Sequence, residues 1–374
     1  HDLWWQFEFD AHAPRSLRAL VGLAILLLVL ALRFLLRSPP PALHAPGPAD
    51  IVRAERIVRS QDSSAAGLAL LGDKHLLFSD SGRSFLMYGV RGRSWVALFD
   101  PVAPEDEAGE LVWRFIDLAR ESGGRPAFYQ VRPQMLPLYL DAGLRLFKVG
   151  EQALVPLQDF SLKGTRRADL RHALNRGERE GLTFRVIPPA EVAPVLPDLR
   201  HVSAAWLARR RAAEKGFSLG AFKDDYVARQ GVAAIYQADA MVAFATLMTT
   251  DTKADASVDL MRYLPSAPPG TMDVLLVRLL LHFQGEGYRR FDLGMAPLSG
   301  IAENAFAPHW HRFAHLLFEH GESLYNFRGV RGFKDKFSPI WEPRYLATSG
   351  LTPFAALTNV AALVGGGLKG VFAK

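Results

Sequence analysis

Apolar residues follow three patterns along this chain, and each predicts a different kind of element. From Leu17 to Leu36 they run for twenty residues with only Arg18 and Arg33 as charges. At about 1.5 Å per residue such a helix covers a hydrocarbon core of about 30 Å, and both arginines lie near its ends, where long side chains reach the interface. The stretch is predicted to be a transmembrane helix, the alternative being a buried helix of a soluble domain. Acids precede it, whereas Arg33, Arg37, Arg53, Arg56 and Arg59 follow, so the downstream part is expected on the cytoplasmic side, with Trp4, Trp5, Phe7 and Phe9 at the outer interface. Residues 1–37 are thus read as a periplasmic-side aromatic segment with its membrane helix, and 38–49, rich in proline, as a stiff linker.

Beyond residue 50 short β-branched or alternating runs interleave with runs of helical period. They predict a helix to about Gln61, strands over 75–79, 83–90 and 93–99, and a helix over 106–121. Strands over 126–131 and 144–149 then flank a helix near 134–142. The order recurs: strand 182–187, helices 192–211 and 224–230, strands 232–237, 241–250 and 256–264, helix 271–287, strand 290–296, a helix near 303–320, and strand 344–349. Two α/β (α+β) units are expected in tandem, at 50–160 and 182–350, followed by an apolar, glycine-rich tail at 351–374 that is membrane-surface, packed or disordered.

The segment between them, 161–181, is predicted to be a basic connecting helix. It carries Lys163, Arg166, Arg167, Arg171, Arg176 and Arg179, and at helical spacing several share a face. Such a stripe can track a phosphate backbone; the alternative is a solvated helix with internal pairs to Asp169, Glu178 and Glu180. The whole chain of 374 residues has a net charge of +6, which favours polyanions such as nucleic acid or anionic lipid. It contains no Cys, which removes thiol nucleophiles, disulfides and thiolate metal sites. It begins with His rather than Met and is read as a piece of a longer protein.

One predicted strand is chemically unusual. Ser257-Val258-Asp259-Leu260-Met261-Arg262-Tyr263 sets an acid and a base in an apolar run, where an unpaired charge costs several kcal/mol. It is read as the wall of an active-site cleft, against a structural ion pair at a sheet edge. Residues three apart on a regular strand face opposite sides, so Asp259 and Arg262 can share a cleft only if the strand bulges.

With KGTRRADLRHALNRGEREG (163–181), SVDLMRY (257–263), RFDLGMAPLSG (290–300) and YNFRGVRGFKDKFSP (325–339), the element order resembles tandem GNAT-like acetyltransferase folds behind one transmembrane helix. Taken together, the chain is similar over essentially its whole length to the bacterial aminoacyl-phosphatidylglycerol synthases, the multiple peptide resistance factor family. The resemblance implies transfer of an aminoacyl group from aminoacyl-tRNA to a glycerol hydroxyl of phosphatidylglycerol, which lowers membrane negative charge and raises resistance to cationic peptides. It implies a bacterial inner-membrane enzyme facing the cytoplasm, partnered by tRNA, phosphatidylglycerol, the bilayer and an N-terminal multi-pass flippase domain, with no cofactor and no metal. The Ala- and Arg-rich composition resembles alanyl-type members, so alanyl is favoured over lysyl.

By the same resemblance Asp259 is the base or hydroxyl orienter, and Arg262 the partner of a lipid phosphate or of Asp259. Lys334, expected in a glycine-punctuated loop, binds phosphate or the tRNA end, and Tyr226 donates to the ester carbonyl; surface charge or packing is the alternative for both. Tyr325, Phe327, Phe333 and Phe337, with Arg331, surround that loop and stack on adenine, line an acyl groove or fill core. Pro265 to Met272 lacks the pyrophosphate-binding loop of acyl-CoA enzymes, which argues against an acyl-CoA N-acetyltransferase. The remaining alternative is a non-catalytic tRNA- or lipid-binding module. His311, His315 and Glu319 recur every four residues, but no fourth ligand converges with them.

Overall fold

The computed structural model describes residues 15–35, 43–210, 213–301 and 327–365. It divides into two compact units, one holding residues up to Leu43 with Glu121–Gly123, the other everything else. In the first, α1 is a helix over Arg15–Leu35, with Leu20, Leu23, Leu26 and Leu28 exposed. Its side chains are described over 19–29 and at 31 and 32. Among the described residues no helix is long and apolar enough to cross a membrane. The membrane helix expected over 17–36 therefore lies partly outside the described residues.

The second unit is built on one sheet of eleven strands, in the order β1-β2-β3-β4-β11-β5-β10-β9-β8-β7-β6. In its first half the strands are β1 (His75–Phe78), β2 (Phe85–Arg91), β3 (Ser94–Val102), β4 (Arg125–Val131) and β5 (Arg145–Pro156). In its second half they are β6 (Leu182–Ile187), β7 (Gly231–Gln237), β8 (Ala240–Thr249), β9 (Asp255–Tyr263), β10 (Arg290–Pro297) and β11 (Ile340–Thr348). Each half runs antiparallel and then crosses by a helix to one parallel strand, β3 to β4 through α3 (Glu105–Glu121) and β9 to β10 through a later helix, Thr271–Gly285. This is the tandem GNAT-like arrangement.

The halves exchange their last strands. β5 follows β4 in sequence yet pairs antiparallel with β10, while β11 follows β10 yet pairs antiparallel with β4. The two exchanged strands pair with each other over Ile340–Thr348, so the halves share one continuous sheet. That explains why β5 and β11 outgrow the predicted 144–149 and 344–349: each has partners on both sides.

Helices cover both faces of the second half, which is why β7 and β8 are buried almost throughout rather than alternating. The connecting helix α5 (Ala168–Arg179) and the crossover helix α8 (Thr271–Gly285) supply Leu170, Val274, Leu276 and Leu280 to one core. On the opposite face α6 (Leu196–Arg210) and α7 (Asp224–Ala228) pack Leu199, Val202 and Val227 against Phe244 and Leu260. In the first half α2 (Pro48–Ser60) lies on one face, and α3 with α4 (Leu136–Asp141) on the other, where Phe115, Phe128 and Tyr139 stack edge to face or tilted. Beyond these come α9 (Phe327–Asp335) and α10 (Phe354–Val364). The latter lies within the tail and is packed, burying Ala356 and Val360 in the first half's core.

Candidate active site

β9 is interrupted where its charges fall. Its pairing with β8 shifts register between Val258, opposite Leu247, and Met261, opposite Ala245, so Asp259 and Leu260 together face Thr246. This is a β-bulge, and Thr246 Oγ1 accepts the displaced Leu260 N–H at 3.1 Å. Val258 and Met261 remain on the α8 side, while Asp259 meets α7, Leu260 the core beneath α6, and Arg262 α6 itself. The condition for Asp259 and Arg262 to share a face is met. Beside them the parallel pairing with β10 extends only to Ser257–Asp292, so the two strands part where Asp259 begins.

The Asp259 carboxylate is enclosed and hydrogen-bonded. Oδ1 accepts the Gly220 N–H at 2.9 Å, and Oδ2 accepts the Tyr226 O–H at 2.7 Å. A Cβ on Gly220 would stand 1.7 Å from Oδ2, so only glycine admits this approach. Burial pushes the carboxyl above its usual range, against the pull of Tyr226, Gly220, Lys74 and Arg262. Burial, then the Asp259 charge, pushes the Tyr226 phenol well up, so it stays a donor. Lys74 and Asp73 enter from the first half. Lys74 is buried and its Nζ donates to Asp73 Oδ1 at 2.5 Å.

The ionic partner of Arg262 is Glu214 rather than Asp259. Its two terminal nitrogens donate to the two Glu214 oxygens at 2.7 and 2.6 Å, and one also donates to Ser203 Oγ. The guanidinium stands 5.3 Å from the Trp206 ring centre. A bidentate pair of this kind satisfies a charge that the strand would otherwise bury alone.

On β10 a second bulge, between Asp292 and Met295, turns the strand at Gly294, whose φ is +86°. Asp292 accepts the Gln152 amide at 2.6 Å on each oxygen and the Gly294 N–H at 2.7 Å, and burial raises its carboxyl. Lys334 arrives from α9, a helix where a loop was expected. Two glycines argued for the loop, but Lys334 and Phe337 are buried, Phe333 packs on the same core, and Arg331 pairs with Asp335 one turn on. Lys334 Nζ donates to the Met295 carbonyl at 2.9 Å, and burial lowers its pKa to about 8 against the opposing charge of Asp292.

The other expected substrate contacts are taken up by the protein or lie elsewhere. Arg331 donates to Glu151 at 2.5 Å and covers the Trp341 ring at 4.3 Å. Phe333 and Phe337 pack edge to face at 5.9 Å, and Phe337 is fully buried. Tyr325, the side chain of Phe327, and His311, His315 and Glu319 lie outside the described residues. Among the described residues no group of three His, Cys, Asp or Glu is placed to hold a metal.

The basic stripe divides by role. Arg171 donates to the Leu162 and Gly164 carbonyls at 2.5 and 2.7 Å, and Arg167 to the Lys336 carbonyl at 3.0 Å, so both brace the chain. Lys163, Arg166, Arg176 and Arg179 are exposed. His172, Asn175, Arg176 and Arg179 line an open surface concavity together with Glu178.

Sequence reasoning missed Asp73, Lys74, Glu214, Gly220 and Asp292. Asp73-Lys74 carried a usable signal, a charged pair one glycine beyond the apolar run Ser64–Leu71. The others gain meaning only through partners far away in the chain.

The sequence model of the family described as "Phosphatidylglycerol lysyltransferase, C-terminal" matches residues 54–348. A phosphatidylglycerol lysyltransferase of Bacillus subtilis is 39% identical over 282 residues, 75% of this chain but 33% of that protein. The chain thus spans about a third of the length of such relatives. Among solved structures, one described as the C-terminal domain of a lysylphosphatidylglycerol synthetase of Agrobacterium fabrum is 48% identical, with a TM-score of 0.78 over 86% of this chain and 99% of that one. L-PGS from Bacillus licheniformis is 34% identical, with a TM-score of 0.74 over 86% and 98%.

Proposed function

Because this chain belongs to the phosphatidylglycerol lysyltransferase C-terminal family, we propose that it is an aminoacyltransferase moving an aminoacyl group from aminoacyl-tRNA to a glycerol hydroxyl of phosphatidylglycerol. The observation that carries the reading is the enclosed Asp259 carboxylate, held by Gly220 and Tyr226 where β9 and β10 part.

The chemistry is transesterification. Asp259 takes the proton of the glycerol hydroxyl, and the oxygen attacks the ester carbonyl of the aminoacyl-tRNA. The tetrahedral intermediate then collapses, breaking the bond to the ribose oxygen, which takes up a proton as it leaves. Asp259 is suited to this because burial makes it a stronger base than an exposed carboxylate. The loss of β10 pairing beyond Ser257 leaves that edge of β9 open to a substrate carbonyl. Lys334 and the Arg262–Glu214 pair are the candidate phosphate contacts. Tyr226 acts through Asp259 rather than on the ester, since its hydroxyl is already engaged.

tRNA approaches the exposed cations Lys163, Arg166, Arg176 and Arg179 of the connecting segment. The lipid comes from the bacterial inner membrane, to which the apolar run at 17–36 anchors the chain with this part facing the cytoplasm, behind a flippase domain of the full-length protein. The product lowers membrane negative charge and so raises resistance to cationic peptides. The composition favours alanine as the transferred group; the names of the relatives favour lysine as a second reading.

The test is to mix the protein with phosphatidylglycerol vesicles and tRNA charged with labelled alanine or lysine, and to count label in the organic phase. Label that vanishes in Asp259→Ala supports the reading and names the amino acid. No label from either, with tRNA and lipid still bound, overturns it in favour of a binding module.

A further inference from the structure

The candidate base lies in the second half, but its surroundings are completed by the first. The turn Leu71–Lys74 and the loop 216–223 hold each other: Asp73 Oδ2 accepts the Phe217 N–H at 2.7 Å, and Lys223 Nζ donates to the Leu71 carbonyl at 3.3 Å. A Cβ on Gly216 would stand 2.8 Å from Asp73, as one on Gly220 would collide with Asp259. Lys74 ends this turn, with a fully enclosed side chain and its ammonium on Asp73 Oδ1. Burial lowers the pKa of the Lys74 ammonium, against the opposing pull of Asp73 and then Asp259, and Lys74 in turn favours the charged form of Asp259.

We propose that Lys74 of the first half is a positioning residue for Asp259: its ammonium holds Asp73, and Asp73 in turn holds the loop whose Gly220 amide binds the Asp259 carboxylate. The inference rests on Asp259 being the proton acceptor proposed above. A lysine buried to this degree is costly, and a single bond to Asp73, itself partly exposed, does not require that burial. Its place beside a second buried carboxylate does. The groups facing Asp259 are the Tyr226 hydroxyl, the Gly220 amide, Lys74 and, along its own strand, Arg262. Those facing Lys74 are Asp73, Asp259 and Lys223. Among the described residues, Arg262 is neutralised bidentately by Glu214, whereas Lys74 is bound to Asp73 and its charge also favours that of Asp259. The first half would thus serve catalysis without touching substrate.

The test compares Lys74→Met and Lys74→Arg, reading the Asp259 carboxyl by carbon NMR in protein labelled at aspartate, with Asp259→Asn to assign the signal. Removing the cation is expected to raise the Asp259 midpoint by roughly one unit, whereas Lys74→Arg leaves it near the wild-type value. The acid limb of the transfer rate against pH moves up by the same amount in Lys74→Met. Should Met prevent folding, Lys74→Gln keeps a donor to Asp73 and removes the charge. An unmoved midpoint in a folded neutral variant overturns the proposal. The NMR reading does not depend on activity: if wild-type protein transfers no label, the proposed function fails while the role of Lys74 is still decided.

Discussion

Asp259 and Arg262 stand three residues apart on one strand, yet both reach the same face of the sheet, because the bulge opposite Thr246 inserts one residue between them. Thr246 Oγ1 accepts the Leu260 N–H that this insertion takes out of the ladder. The hydroxyl is buried and has a neutral isostere. Thr246→Val is therefore expected to leave a buried N–H unpaired, costing roughly 1–3 kcal/mol. Urea unfolding measures that cost, and transfer activity should fall further than stability does, since the freed strand can slip Asp259 towards the α8 face. Unchanged stability would mean that the bulge is held by other contacts.

Tyr226 stabilises the charged form of Asp259 by donating to Oδ2. Removing the donor in Tyr226→Phe raises the carboxyl further. A base must be ionised to act, so the acid limb of the pH–rate profile is expected to move to higher pH, with the larger loss of rate on its acid side. Tyr226 itself stays protonated across the range because burial holds its phenol well up. A uniform loss at every pH would instead give the hydroxyl a direct part in the transition state.

The cations of α5 should separate in the same way that their bonding does. Arg171→Ala removes two bonds to loop carbonyls and is expected to lower the melting temperature. Arg176→Glu with Arg179→Glu alters an exposed face and is expected to leave melting nearly unchanged. The double variant should weaken tRNA binding and flatten its dependence on salt, the slope falling by about one for each phosphate left without its cation. Filter binding across a salt series measures this. Equal tRNA affinity in wild type and double variant would remove the stripe from the tRNA surface.

Much of this was legible in local pattern and little of it in partnership. Helix α8 and strand β9 fall within two residues of their predicted bounds, because apolar period and glycine stops are written along the chain. The exchange of β5 and β11 was not legible: nothing near Ile340 says that its partners are Leu154 and its neighbours, far back in the chain. The same holds for Lys74, whose meaning comes from Asp259, and for Glu214, which takes Arg262 away from it. α9 was misread as a loop because Gly329 and Gly332 outweighed the burial of Lys334 and Phe337, which only tertiary packing supplies. The bulge in β9 was legible as a condition, since the two charges on one cleft required it.

Lys334 offers the sharpest separation of stability from function. Its pKa is lowered to about 8 by burial, below the 10.5 of an ordinary lysine. A folded state with the lower pKa binds fewer protons than the unfolded chain between those values, so this residue makes the protein more stable as pH rises from about 8 to 10.5. Below pH 8 both states carry the proton, and the folded state bears the cost of a buried ammonium, on the order of 3 kcal/mol. Lys334→Met is thus expected to be more stable than wild type at pH 7, less whatever the Met295 carbonyl loses, with the advantage shrinking towards pH 10.5. Melting curves across that range measure it; a variant destabilised equally at every pH would mean that the ammonium is a structural bond and not a buried burden. At pH 7 the group is still protonated, and a charge kept there against its own cost is expected to act on a phosphate or a developing oxyanion. The same variant should then lose transfer by at least about tenfold while it gains stability.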